Sequence, residues 1–182
     1  MNATRLRIRI FGDPALRRKT KPVNQITEAH RNVLQEMAEL MHEASGIGLA
    51  GPQVGINESL IVVDIGSGLY KLINPRVVKK EGHQVMEEGC LSVPGVCIKI
   101  KRAQKVWVVA QDEFAQTVKI EASDLLACVL QHEIEHLKGK LIVDYASLFE
   151  KLRIRKKLSR FKKQREDEEV PESKTKSCKL QL

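Results

Sequence analysis

The sequence predicts an α+β fold: antiparallel strands wrapped around a central helix, with a second long helix and a basic helix towards the C-terminus. Short extended segments follow one another through the first two thirds of the chain, and only two stretches before residue 147 have a helical pattern. Strands and helices do not alternate, which argues against repeated βαβ units. The 182 residues are enough for one domain with a sizeable core.

The charge of the chain is concentrated near its C-terminal end. The net charge is +8, and residues 151–182 carry twelve Lys or Arg against five Asp or Glu, so the remainder is nearly neutral. Residues 151–165 hold nine basic residues and no acidic residue. We expect a single domain over residues 1–147, a basic helix over 148–165 and a disordered tail over 166–182.

The strand predictions begin with an extended N-terminal segment over residues 4–26, where Leu6, Ile8 and Ile10 alternate with arginines. The turn signal Gly-Asp-Pro follows at residues 12–14. Further strands are predicted at residues 59–65, 70–73, 77–80, 84–87, 96–100, 105–110 and 117–122, with a short extended piece at 141–144. We expect the two segments on either side of Gly82 to form a hairpin.

Three helices are predicted from their apolar spacing and caps. The first follows Thr27 and ends before Gly46. Its apolar stripe, at spacings of four, four, three and four, consists of Ala29, Val33, Met37, Leu40 and Ala44. The central helix begins after a cap at residue 123 or 124 and ends at Gly139. The last helix begins near Ser147, with an apolar stripe of Ile154, Leu158 and Phe161.

A glycine-rich segment over residues 46–55 separates the first helix from the strands. Four glycines and one proline in ten residues argue against regular structure there. Such a segment can bring its backbone close to a ligand, although a plain loop is the simpler interpretation. It is not a phosphate-binding loop, because the Lys-Ser/Thr ending is absent.

The central helix carries the motif His-Glu-x-x-His at residues 132–136. His132 and His136 lie one turn apart on one helix face, so both imidazoles can bind one metal ion. Glu133 follows the first histidine and can act as a general base on water. The alternative is a buried helix with histidines four apart by chance, but burying these polar groups without partners would be costly. The central helix is therefore predicted to bind a metal.

A catalytic site of this kind needs a third protein ligand. Metalloproteases with this motif usually take it downstream, where Asp144 and Glu150 are the nearest acids. Cys90, which follows Gly89 in a predicted turn, is the better candidate, although an isolated cysteine can also be a small core residue.

The four cysteines are Cys90, Cys97, Cys128 and Cys178. We expect reduced thiols, because the chain is long enough to fold without disulfides and its N-terminus lacks the apolar core of a secretory signal. No run of eighteen apolar residues predicts a membrane span. A cytoplasmic protein without a membrane partner is therefore expected.

Three segments of the chain stand out as motifs: Gly-Ile-Gly-Leu-Ala-Gly-Pro-Gln at 46–53, Glu-Gly-Cys-Leu-Ser at 88–92 and Gln-His-Glu-Ile-Glu-His-Leu at 131–137. Together they resemble the motifs of the peptide deformylase family. All three occur in the family's order and usual separation, and the resemblance covers roughly residues 5–160.

Two positions depart from the family's motifs. Gly51 replaces the usual alanine, a change that should be nearly neutral in a glycine-rich segment. Glu135 replaces the usual aspartate and lies off the face shared by the two histidines. We expect Glu135 to contact residues around the metal site rather than the metal. Because its side chain is longer than that of aspartate, the sequence does not indicate which residue it pairs with.

The resemblance implies hydrolysis of the N-formyl group from the N-terminal formyl-methionine of new polypeptides, which releases formate. It assigns Cys90, His132 and His136 as metal ligands within a catalytic domain over residues 1–147. Glu133 would take a proton from water and deliver it to the leaving amine.

The resemblance also implies how the substrate is held. Gln53 and the backbone N–H of Leu91 would stabilise the tetrahedral oxyanion. Ile47, Gly48 and Gly89 would pair with the substrate backbone as an added strand.

One Cys and two His ligands suggest zinc on ligand type alone, whereas the resemblance implies Fe²⁺, with Ni²⁺, Co²⁺ or Zn²⁺ as substitutes. We favour iron. The spacing of the central helix adds Leu125, Cys128 and Val129, which lie seven, four and three positions before His132, as candidates for an apolar pocket for the methionine side chain.

Two other functions are alternatives to deformylation. An ordinary metallopeptidase would take its third ligand elsewhere, so Cys90→Ser would be harmless there and would abolish metal binding in a deformylase. A catalytically inactive RNA- or ribosome-binding protein would not need Glu133. The ribosome is nevertheless a candidate partner for the basic helix over residues 151–165, because its RNA phosphates attract cationic surfaces.

Overall fold

The computed structural model describes residues 5–166, with side chains described over 5–161. In this range the helices are α1 (Glu28–Glu43), α2 (Asp124–His136) and α3 (Leu148–Glu166). The strands are β1 (Gly48–Ala50), β2 (Leu60–Asp64), β3 (Leu69–Glu81), β4 (Gln84–Glu88), β5 (Ile98–Arg102), β6 (Lys105–Gln111) and β7 (Thr117–Ser123). Within residues 5–166 no helix has the length and apolar character needed to cross a membrane.

The strands form two antiparallel groups, which confirms the α+β prediction. Five strands form one sheet in the order β1-β2-β3-β6-β7, and β4 pairs with β5. The central helix α2 packs on the five-stranded sheet through residues 127–130, which share a core cluster with side chains of β2, β6 and β7.

Strand β2 shows how two helices flank this sheet. Its side chains alternate, because Ile61 and Val63 lie in the cluster with α2 while Leu60 and Val62 lie in the cluster with α1. Both faces of the strand are therefore buried, which explains its continuous apolar sequence.

Helix α1 begins and ends where the sequence indicates, but its buried face is rotated from the predicted stripe. Thr27 caps it, and its backbone N–H donates to Nδ1 of His30 at 3.0 Å. The fully buried side chains are Leu34, Met37, Ala38 and Met41, whereas Val33 and Leu40 are only half-buried. The core therefore includes Met37 from the predicted stripe, together with three residues that each follow a member of that stripe.

Helix α2 ends because the chain reverses tightly at Gly139. This residue has φ +72°, and a Cβ added there would lie 2.5 Å from the carbonyl oxygen of Arg17. Both the backbone conformation and the close approach require glycine. The predicted helix stop is confirmed.

The extended N-terminal segment is not part of a sheet. Instead the backbone N–H of Arg9 donates to Gln53 O at 2.6 Å, and that of Phe11 donates to Ser92 O at 2.8 Å. The predicted strand over Leu6 to Ile10 was therefore wrong, because these hydrogen bonds go to a short helical turn and a loop rather than to a neighbouring strand.

Several other expectations were wrong in detail. Strand β3 continues through Asn74, which has φ +53° at an irregularity between β3 and β6, so the predicted break at this point is a bulge. The predicted hairpin around Gly82 does not form, since β4 pairs with β5. The glycine-rich segment contains β1 and a 3₁₀ helix, Gly51–Val54. The predicted extended piece after α2 is also a 3₁₀ helix, Ile142–Asp144.

Helix α3 packs on the body through its apolar stripe. Ile154, Leu158 and Phe161 lie against a core cluster that also contains Cys90. Lys157 Nζ donates to Gly95 O at 2.8 Å. The helix thus begins near Ser147 as expected. The division of the chain at residue 147 stays a prediction, and the predicted disordered tail falls almost wholly outside the described residues.

Candidate metal centre and active site

The structure brings together one thiol and two imidazoles. The candidate ligand atoms of Cys90, His132 and His136 all lie within 4.8 Å of one another, and all three residues are buried. The histidines come from successive turns of α2. Cys90 comes from the turn after β4, which is closed by a hydrogen bond from Val93 N to Cys90 O at 2.9 Å.

The spacing of these atoms fits one metal ion. Nε2 of His136 lies 3.0 Å from Nε2 of His132 and 3.4 Å from Sγ of Cys90. Around a four-coordinate zinc-type ion, the usual bond lengths give roughly 3.3 Å between two imidazole nitrogens and roughly 3.6 Å between sulfur and nitrogen. A soft thiolate with two imidazoles is a set that binds zinc or iron.

The other sequence candidates for the third ligand lie elsewhere. Asp144 accepts hydrogen bonds from Arg17 at 2.6 and 2.9 Å, and Glu150 accepts from Ser147 at the start of α3. Glu135 pairs with Arg102 and is not one of the clustered donors, as its position off the histidine face predicted.

Burial controls the protonation of the cluster. It raises the pKa of the Cys90 thiol to about 12 and raises the pKa of Glu133 well above its usual value. It lowers the pKa of His132, despite the opposing effect of Glu88, and it lowers the pKa of His136 further. The imidazoles are therefore held in the neutral form that binds metals, while the thiol needs a nearby cation to ionise.

Glu133 is fully buried beside the cluster, and neither of its carboxylate oxygens has a hydrogen-bond partner within the described part of the chain. Its side chain occupies the space in front of β1, because a Cβ added to Gly48 would lie 2.3 Å from Oε1 of Glu133. A buried carboxylate without a partner is costly and points to a ligand or reactant at this position.

The amide of Gln53 lies beside the thiol of the cluster. Its Oε1 accepts from Ala50 N at 2.7 Å, which fixes the orientation of the amide group, and Nε2 lies 3.6 Å from Cys90 Sγ. Leu91, which follows Cys90, is buried against the cluster of α1. The structure thus places two candidate oxyanion donors on the segments that adjoin the metal cluster.

The structure places the six remaining predicted site residues as follows. Gly48 lies in β1, Gly89 is buried beside Cys90, and Ile47 is half-buried just before β1. Cys128 and Val129 are fully buried in the core, where the Cys128 thiol donates to Glu88 Oε1 at 3.2 Å. Leu125, one turn nearer the start of α2, is half-buried and packs against the same core cluster as Ile47.

A charged network behind the cluster was missed by sequence reasoning. Glu88 is fully buried and accepts from Nδ1 of His132 at 2.9 Å and from Nη2 of Arg102 at 2.7 Å. Burial alone would raise the pKa of Glu88, but these hydrogen bonds outweigh it and lower the pKa to about 2. Glu88 stands inside a recognised motif, so its position was a usable signal, whereas nothing in the sequence singled out Arg102.

The expectation of reduced thiols is confirmed for Cys90 and Cys128, which are free. It was wrong for Cys97, which is disulfide-bonded. The free thiol of Cys90 is the one required by the candidate metal site.

Comparisons with known proteins agree with this site. A family model described as polypeptide deformylase matches residues 5–152. A peptide deformylase of Halothermothrix orenii is 49% identical over 141 residues, which cover 76% of this chain and 92% of that protein. A peptide deformylase of Thermotoga maritima is 41% identical over 153 residues, which cover 84% and 93%.

Solved structures of peptide deformylases are also similar to this chain. The crystal structure of a peptide deformylase from Legionella pneumophila matches with a TM-score of 0.83 and 38% identity, covering 92% of this chain and all of that one. That of Synechococcus elongatus in complex with actinonin matches with a TM-score of 0.80 and 37% identity, covering 86% and 90%. The sequence, the fold and the clustered thiol and imidazoles all lead to the same conclusion, that the chain belongs to the peptide deformylases, a family of metal-dependent hydrolases.

Proposed function

We propose that this deformylase removes the formyl group from N-formyl-methionyl peptides with Cys90, His132 and His136 as metal ligands and Glu133 as the proton carrier. The observation that carries the proposal is the convergence of three ligand atoms within 4.8 Å, beside a buried carboxylate whose oxygens have no partner among the described residues. When bound, the ion acts as a Lewis acid and lowers the pKa of water.

Glu133 moves the proton. Its burial raises its pKa, which brings the carboxylate towards the range in which it can accept a proton from water and return it at neutral pH. The accepted proton is then delivered to the nitrogen of the leaving amine, so that formate and a free amino terminus result. The tight space in front of Gly48 limits where this carboxylate can lie.

Gln53 and Leu91 stabilise the oxyanion. The Nε2 of Gln53 belongs to an amide whose oxygen is already bonded to Ala50 N, so its donor direction is fixed before substrate arrives. The backbone N–H of Leu91 is the second donor. Because both donors are already oriented, they need little reorganisation as the negative charge develops on the oxygen.

The substrate backbone pairs with the edge of the sheet. Strand β1 is the first strand in the order of the sheet, and among the described residues it pairs with β2 alone. Its other edge is therefore available for Ile47 and Gly48 to bind an extended peptide, together with Gly89. Leu125, Cys128 and Val129 form the apolar side of the methionine site. Leu125 is the one of the three with an exposed fraction in the present structure.

The physiological metal is Fe²⁺, with Ni²⁺, Co²⁺ or Zn²⁺ as possible substitutes. A ferrous ion on a thiolate is sensitive to oxygen, and the cysteine itself can oxidise. Protein purified in air should lose activity and regain it on anaerobic iron loading, while nickel-loaded protein should stay active. Equal and air-stable activity with zinc would contradict the assignment.

The proposal also names a compartment and a partner. The protein acts in the cytoplasm on new polypeptides, and the exposed basic residues of α3 bring it to the ribosome. The assignment of the ribosome as partner is supported by five exposed cationic side chains in the described part of α3: Lys151, Arg153, Arg155, Lys156 and Arg160.

Replacement of Glu133 tests the mechanism. Formate release from formyl-Met-Ala-Ser should fall by roughly 10² to 10⁴-fold in Glu133→Ala, because general acid–base catalysis is lost while the three metal ligands remain. Metal content measured on the same samples should stay near one ion per chain in both proteins. An exposed acid, replaced in the control Glu121→Ala, should have no comparable effect. Near-normal turnover of Glu133→Ala would exclude this role.

A further inference from the structure

A continuous chain of hydrogen bonds connects a proposed metal ligand to the protein surface. Nδ1 of His132 donates to Glu88, and Arg102 donates to Glu88 through Nε and Nη2. The remaining guanidinium nitrogen, Nη1, donates to Glu135 Oε2 at 3.0 Å. The hydroxyl of Tyr145 donates to Glu135 Oε1 at 2.5 Å.

The members of this chain come from four separate parts of the fold. Glu88 ends β4, Arg102 ends β5, Glu135 is in the last turn of α2, and Tyr145 follows the 3₁₀ helix after α2. Burial decreases along the chain, from Glu88 with no exposed surface to Tyr145 with 38% exposed. The chain therefore connects the metal cluster to a position that solvent can reach.

Arg102 is the central member, and its geometry depends on both carboxylates. Its guanidinium is buried, and all three nitrogens are used by Glu88 on one side and Glu135 on the other. The ring of Tyr145 lies 5.7 Å from the guanidinium carbon, so the same side chain covers the cation and anchors Glu135. Removing Glu135 would leave a buried donor unpaired and release one side of Arg102.

Glu135 has a side chain suited to this position. The family's usual residue there is aspartate, which is one methylene shorter. In this chain one carboxylate oxygen of Glu135 reaches Arg102 and the other reaches Tyr145. A shorter acid on the same helix turn would have less reach to satisfy both partners at once.

A hydrogen bond to the outer nitrogen of a metal-binding histidine fixes its tautomer and ring orientation. Here that hydrogen bond is made by Glu88, and Glu88 is held in turn by Arg102. We propose that Glu135 and Tyr145 are positioning residues for His132, acting through Arg102 and Glu88, and that they determine how firmly the metal ion is retained. This inference rests on the proposed role of His132 as a ligand.

The test measures metal retention directly. Nickel-loaded full-length protein is challenged with a chelator, and the dissociation constant and release rate are compared between the wild type, Glu135→Ala, Glu135→Asp and Tyr145→Phe. Loss of an outer partner of a metal ligand typically weakens metal affinity by about 10- to 100-fold. We expect Glu135→Ala in that range, with Tyr145→Phe and Glu135→Asp between it and the wild type. The loss should be larger in affinity than in the turnover of metal-saturated protein.

Two controls separate positioning from general damage. Glu121→Ala removes a surface acid that pairs with Lys105, and Tyr70→Phe removes a phenol hydroxyl on β3 that is not a member of the hydrogen-bond chain. Both should keep wild-type metal affinity. As a spectroscopic signature, the Nδ1–H proton of His132 should exchange with solvent faster in Glu135→Ala than in the wild type.

The outcomes distinguish this inference from the proposed function. If Glu135→Ala keeps wild-type affinity while His132→Ala loses the metal, the positioning chain is wrong and the metal site stands. If Glu135→Ala and Glu121→Ala weaken binding equally, the effect is general destabilisation and the inference also fails. If His132→Ala still binds nickel with wild-type affinity, the proposed ligand set itself is wrong.

Discussion

Gly48 is the residue at which the proposed substrate strand and the proposed proton carrier meet. A methyl group at this position would lie 2.3 Å from Oε1 of Glu133, far inside contact distance. Gly48→Ala should therefore push the carboxylate out of place and lower kcat/KM, by roughly 10²-fold if the shift approaches 1 Å. Metal content and thermal stability, measured in parallel, should change little, since α2 can keep its position. An unchanged kcat/KM would show that Glu133 has room to move without loss.

At the scale of single residues, sequence reasoning found what lies close in sequence and missed what lies far apart. His132, Glu133 and His136 follow from one helix period, and Cys90 follows from a turn flanked by glycine. Arg102 could not be found in this way, because it depends on the fold bringing the end of β5 against α2. Buried ion pairs between distant segments leave no local pattern in a sequence.

At the scale of elements, the C-terminal end of α2 gives a sharp prediction. Gly139 has φ +72° and faces the carbonyl of Arg17, so Gly139→Ala suffers both the left-handed backbone penalty and a clash at 2.5 Å. The penalty alone is about 1–2 kcal/mol, and the melting temperature of a domain of this size should fall by roughly 2–8 °C. Thermal unfolding checks this, with the exposed neighbour Lys138→Ala as control. Equal melting temperatures for Gly139→Ala and the wild type would contradict it.

The helices and strands also show which features can be predicted from local sequence patterns and which cannot. Helix α1 and strands β2, β6 and β7 were predicted close to their true bounds, because their apolar periods are strong. Asn74 and its following proline suggested the end of a strand, yet β3 passes through them. The side chain of Asn74 exchanges two hydrogen bonds with the backbone of Val23, at 2.9 and 2.8 Å, which stabilises its positive φ. These hydrogen bonds form only when distant segments meet in the folded chain, so local sequence does not predict them. The same holds for the pairing of β4 with β5.

At the scale of the whole molecule, the nearly neutral body and the basic helix α3 are distinct in charge but joined by packing. One face of α3 packs on the body through Ile154, Leu158 and Phe161, and Lys157 donates to Gly95 O beside it. The opposite face is exposed. Beside its cations it displays the large apolar side chains Leu148, Phe149 and Leu152. Among the described residues, α3 therefore packs on the body through one face and exposes the other.

This arrangement makes ribosome binding testable without removing the helix. Charge reversal at Arg155, Lys156 and Arg160, which are exposed on α3, should preserve packing of the apolar stripe and weaken co-sedimentation with ribosomes. Binding to RNA phosphates releases counterions, so the wild type should lose affinity steeply as salt rises, and the logarithmic salt slope should fall by about one for each phosphate contact removed.

The matched control reverses three exposed lysines of the body, Lys119, Lys138 and Lys140, for the same change in net charge. If net charge alone attracts the protein to the ribosome, both triple variants should bind equally weakly. If α3 is the docking surface, only the α3 variant should lose binding, while formate release from a free formyl-tripeptide stays normal because every proposed catalytic and substrate-binding residue lies at or before His136. Binding that does not respond to salt, or that survives charge reversal on α3, would exclude this helix as the contact.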